Sequence, residues 1–120
     1  LSIQKNPFPR KIKILDTVYK IKYHNTETLI MVVDDTKEES SVNGFVDFDT
    51  CTINIRTNGR PYSEIWSDIW HEIGHVIKSY FKIKMTDDLE ELFMNLFTLG
   101  CNSVIMDNEL KFDFSKKRRI

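Results

Sequence analysis

Apolar and polar residues alternate singly through much of positions 11–56, and from about position 63 the spacing lengthens to three or four residues. The first pattern predicts strands and the second helices, because side chains switch faces along a strand and recur every 3.6 residues along a helix. Positions 11–15 and 18–23 read as two strands around Asp16-Thr17. Tyr19, Ile21 and Tyr23 share one face of the second, with Lys20 and Lys22 on the other. Positions 29–33 read as a third strand, and the polar, mixed-charge stretch 34–41 as a solvated loop. Positions 44–47 and 51–56 read as a hairpin closed by Asp47-Phe48-Asp49-Thr50. Thr57-Asn58-Gly59-Arg60-Pro61 then ends the strand pattern.

In the second half, Ile65, Trp66, Ile69, Trp70, Ile73, Val76, Ile77 and Tyr80 form one apolar stripe of a helix with Ser63 as its N-cap. A second helix is expected over about 88–106, opened by a D-x-x-E capping signature at Asp87 and Glu90. Its stripe is Leu89, Leu92, Phe93, Leu96, Phe97 and Val104. The basic run Lys116-Lys117-Arg118-Arg119 reads as a solvated terminus.

Composition narrows the classes. A chain of 120 residues suits a single domain over 1–120, with a core over about 11–108 and a basic tail over 109–120. Hydrophobic residues make up 41% and aromatics 12%, enough to build a core without disulfides. A formal net charge of −1 argues against a dedicated nucleic-acid binder. The longest apolar run, 29–33, is too short to span a bilayer, and no signal peptide or membrane partner is expected. Cys51 and Cys101 stand 50 positions apart with no CxxC, which disfavours a cysteine-zinc site and points to a reducing, cytoplasmic compartment.

The stretch His71-Glu72-Ile73-Gly74-His75 changes the picture. Residues i and i+4 share a helix face, so two imidazoles in this H-E-x-x-H pattern can close on one zinc ion. The glutamate after the first histidine then reaches a metal-bound water and takes its proton. On a helical wheel both histidines project away from the stripe centred near Ile73, which disfavours buried structural histidines. Solvated surface histidines are the competing reading. A third ligand must come from elsewhere, and the downstream carboxylates are Asp87, Asp88, Glu90, Glu91 and Asp107. Glu91, opposite the stripe of the second helix, is preferred, with Glu90 at the stripe's edge as the fallback. Asn95, one turn on from Glu91, is a candidate to orient a ligand. Cys101 lies almost three turns away, and His24 is isolated among the strands. The third histidine of metzincins is absent, since Lys78 and Phe81 stand at the positions of its glycine and histidine, and so is the inverted H-x-x-E-H order.

Trp70-His71-Glu72-Ile73-Gly74-His75 together with Glu90-Glu91-Leu92-Phe93-Met94-Asn95-Leu96-Phe97 resembles the gluzincin-type metallopeptidase domains of the ImmA/IrrE kind, especially short stand-alone ones of phages and prophages. In that family the second helix reads approximately Glu-x-x-Ala-Asn-x-Phe-Ala. Glu91, Asn95 and Phe97 match it, while Met94 and Thr98 replace the alanines. The resemblance implies an α+β fold in which a twisted antiparallel sheet of about five short strands packs on the H-E-x-x-H helix, and a second, C-terminal helix brings the glutamate. It implies zinc held by His71, His75 and Glu91, with Glu72 as general base. It also implies a bacterial cytoplasmic setting and a protein or peptide substrate lying along an edge strand, for which 51–56 is the candidate. Two functions follow: a zinc endopeptidase, with Tyr62 or Tyr80 considered as oxyanion donors, or a non-catalytic zinc-binding phage interaction or regulatory protein with the same fold; a regulatory protein partner is a further expectation.

Overall fold

The computed structural model describes residues 8–33 and 37–107, and the side chains of these except at 33 and 104–107. The basic run 116–119 lies outside them, as do the side chains of Val104 and Asp107. Among the described residues six strands precede two helices: β1 (Lys11–Ile14), β2 (Thr17–His24), β3 (Leu29–Val33), β4 (Glu38–Val42), β5 (Gly44–Asp47), β6 (Thr52–Arg56), α1 (Tyr62–Tyr80) and α2 (Asp87–Asp107). The class is α+β.

The main sheet has the order β1-β2-β6-β5. It is mixed rather than antiparallel, because β2 and β6 run parallel, with Ile21 opposite Ile53 and Tyr23 opposite Ile55. The chain between them leaves the sheet to form a separate ribbon of β3 and β4 and returns through β5, which lets β6 enter in the direction of β2. The expected loop over 34–41 is therefore strand from Glu38 onward. Its sequence Glu-Glu-Ser-Ser shows no alternation because those four residues are exposed, so pairing to β3 rather than burial makes it a strand. The expected hairpin over 44–56 forms, and Asp47 Oδ1 closes its turn by accepting from the backbone N–H of Asp49 at 3.0 Å and of Thr50 at 3.3 Å.

One face of the sheet packs on α1. Tyr19, Ile21, Ile53 and Ile55 meet Ile65, Ile69, Ile73 and Val76, all buried, with Phe8 closing one end against Tyr23, Tyr62 and Trp66. Each such aliphatic side chain contributes about 1.5–3 kcal/mol relative to exposure. Lys20 and Lys22 point to the open face, as the alternation predicts. The start of α1 differs from expectation. Pro61 occupies the N-cap position without a side-chain cap bond, and Ser63 instead accepts through its carbonyl from Ser67 Oγ at 2.9 Å.

Helix α2 packs chiefly on α1. Its cap is Thr86, whose Oγ1 accepts from the N–H of Leu89 at 3.3 Å, so Asp87 and Glu90 form no capping pair. The expected apolar stripe does not face the core: Leu89, Leu92, Phe93 and Leu96 are exposed. Met94 and Thr98, the two positions that replace alanines in the resemblance, are the buried ones. The reason lies in α1. A Cβ at Gly74 would collide with Met94 Sδ, so only glycine leaves the recess that Met94 fills. Asn102 donates to Ser67 Oγ further along, fixing the same face inward. No helix among the described residues is long and apolar enough to cross a membrane.

Candidate metal centre

The side chains of H-E-x-x-H leave α1 in two directions. Glu72 turns toward the sheet and is buried, 5% exposed. Its Cγ lies 3.5 Å from where a Cβ on Gly44 would stand, so the glycine lets β5 run close beside it. His71 and His75 are half-buried and, together with the buried Glu72, line a cleft of about 630 Å³. Residues of α1, α2, β5 and the β3–β4 ribbon line this cleft, among them Met31, Val42, Phe45, Glu90, Glu91 and Asn95.

His71, His75 and Glu91 come together there, and the three could hold a metal ion. His71 Nε2 and His75 Nε2 are 3.0 Å apart. Glu91 Oε2 lies 3.6 Å from the first and Glu91 Oε1 3.5 Å from the second. A tetrahedral ion with bonds of 2.0–2.1 Å sets its donor atoms about 3.3 Å apart; here the two histidines approach different oxygens of Glu91, and one donor atom from each of the three residues lies within 4.8 Å of the others. Burial and the neighbouring His75 hold His71 below its ordinary pKa, which favours the neutral ring with a lone pair to offer.

Glu90 does something different from its neighbour. Its Oε1 accepts from His75 Nδ1 at 2.8 Å, and its Oε2 pairs with Lys78 Nζ at 3.2 Å. Burial raises the Glu90 pKa, but the hydrogen bonds from His75 and Lys78 outweigh it and the net shift is downward. An ionised Glu90 on Nδ1–H leaves the lone pair of His75 on Nε2, toward Glu91. The orienting contact considered for Asn95 is thus made by Glu90, while Asn95 lines the cleft. Glu90 was legible only as a carboxylate at the stripe's edge; its i−4 relation to Met94 is the signal that places it on the face toward α1.

Glu72 also has a polar atom that a neighbouring cation would suit. Its Oε2 is buried without a hydrogen-bond partner among the described residues. Burial, then the charges of Asp68 and Glu91, push its pKa up to about 8. A cation beside it would reverse that shift. Asp68, one turn before Glu72, is itself raised by burial against the opposing Arg60, whose Nη2 lies 2.5 Å from its Oδ2. This Arg60–Asp68 pair at the cleft was not foreseen from the sequence, where Arg60 belongs to a loop.

Other candidates fall elsewhere. His24 Nε2 is 2.9 Å from Asn54 Oδ1 within the sheet, Cys101 is outside the metal-competent group, and Asp87 and Asp88 do not line the cleft. Tyr62 packs on Phe8, and neither it nor Tyr80 lines the cleft, so neither is placed to bind an oxyanion. The strand 51–56 is not an edge: β6 lies between β2 and β5, and β5 holds the edge next to the cleft. The hairpin strand β5 adds outside β6, which a single-strand reading does not reveal. No family model, no curated protein and no solved structure matches the chain.

Proposed function

We propose that this chain is a zinc-dependent metallopeptidase. The observation that carries the reading is the His71–His75–Glu91 donor triangle with the carboxyl of Glu72 on the next position of the same helix. Two imidazoles and one carboxylate suit zinc, and three protein ligands leave a fourth position open. Zinc held there supplies a Lewis acid and lowers the pKa of a water toward about 7. The resemblance to ImmA/IrrE-type domains, with a phage or prophage setting in a bacterial cytoplasm, supports the same reading.

The chain's own residues then have distinct tasks. Glu72 accepts a proton from the water that adds to the peptide carbonyl carbon, and passes it to the amide nitrogen as the C–N bond breaks. Its burial next to β5 keeps it apart from bulk solvent. Glu90, itself held by Lys78, fixes the ring of His75. The outer edge of β5, unpaired among the described residues, offers backbone donors and acceptors to an extended peptide, and Met31, Val42 and Phe45 supply an apolar wall for its side chains. A protein or peptide is therefore the substrate class.

Glu72→Gln separates this function from a non-catalytic zinc-binding role. The variant keeps its zinc and its fold in both cases. It loses peptide hydrolysis in the proposed one, and retained hydrolysis removes Glu72 from the mechanism.

A further inference from the structure

Helix α2 has a second face that the cleft does not use. Leu89, Leu92, Phe93, Leu96 and Leu99 are 49–66% exposed. At about 100° per residue the four leucines fall within about 80° of one another, centred opposite Met94 and hence away from α1. Scattered exposed leucines call for no explanation, but a contiguous row of this size marks an interaction surface. The spacing is three, four, three: Leu89 and Leu96 take the a positions of two heptads, Leu92 and Leu99 the d positions.

We propose that this seam binds a second copy of the chain, α2 against α2, in a homodimer. A leucine a/d row is complementary to itself, and a two-fold axis places identical rows in contact. The flanking e and g positions agree. Asp88, Phe93, Asn95, Gly100 and Asn102 stand there, so one charge per chain borders the seam and no row of like charges repels a copy. A Cβ placed on Gly100 would meet nothing within 4 Å, leaving the backbone beside the seam open to a closely approaching helix. The five side chains offer on the order of 500 Å² a side, so a pair buries on the order of 1,000 Å², the lower bound of a specific interface. Glu91 lies on the cleft side of α2 while Asn95 both lines the cleft and borders the seam, so the seam runs beside the cleft and uses none of the candidate metal ligands.

The test is the mass of the full zinc-loaded chain by sedimentation velocity, from about 1 to about 100 µM. The expected mass is twice the 14.2 kDa of the chain. Leu92→Glu with Leu96→Glu should give a monomer with unchanged zinc content, whereas Lys20→Glu with Lys22→Glu on the open sheet face should stay dimeric. A wild-type monomer across that range overturns the proposal, as does a dimer that survives both leucine substitutions.

Discussion

His75 donates its Nδ1–H to Glu90 Oε1 at 2.8 Å, and Lys78 holds the other oxygen of that carboxylate at 3.2 Å. Adjacent glutamates on α2 are thereby divided between two tasks. Glu91 faces both histidine Nε2 atoms, and Glu90 grips one ring from behind. Glu91→Ala should remove a ligand and cost more than Glu90→Ala, which should weaken zinc by about 10–100-fold, as loss of an orienting partner does. Competition with a chelator of known affinity measures both. Equal or reversed losses would exchange the roles of the two residues.

The fit between Gly74 and Met94 sets how near α2 comes to the histidines. Gly74→Ala gains about 1 kcal/mol of helix propensity but forces a methyl into Met94 Sδ, at about 1–3 kcal/mol for overpacking. A net loss of stability and of zinc affinity is expected. Met94→Ala in the same chain should restore part of both, because it frees the volume the methyl needs. Denaturant unfolding of the two single variants and the double variant reads the coupling, and strict additivity would mean the two residues do not touch.

Glu72 gives the metal-free protein a pH dependence of definite sign. Its carboxyl binds a proton more tightly folded, at about 8, than unfolded, near 4.5. Its contribution is full below the unfolded value and is lost as pH rises toward 8, with a slope of up to about 1.4 kcal/mol per pH unit. The metal-free chain should therefore lose thermal stability between about pH 5 and pH 8 through this group. Glu72→Gln should flatten that portion of the curve. An identical slope in the variant would place the titration elsewhere.

Much of this arrangement was legible in the sequence. The i, i+4 histidines and the Glu91 position follow from helix periodicity, and strand alternation located both pairs of antiparallel neighbours in the main sheet. What escaped were choices made between elements. The polar strand Glu38–Val42 exists by pairing alone, and the parallel entry of β6 beside β2 depends on a connection rather than a pattern. The inward face of α2 was misjudged because periodicity finds an apolar stripe without saying which surface it meets. A recess at Gly74 and polar contacts to His75 and Ser67 turned Met94 inward and left the leucines outside.

Metal analysis of protein purified without added zinc asks whether His71, His75 and Glu91 hold an ion. About one zinc per chain is expected, lost in His75→Ala, with a lower thermal midpoint once a chelator removes it. A chain that arrives empty and fails to take up added zinc contradicts the ligand set and the peptidase function together.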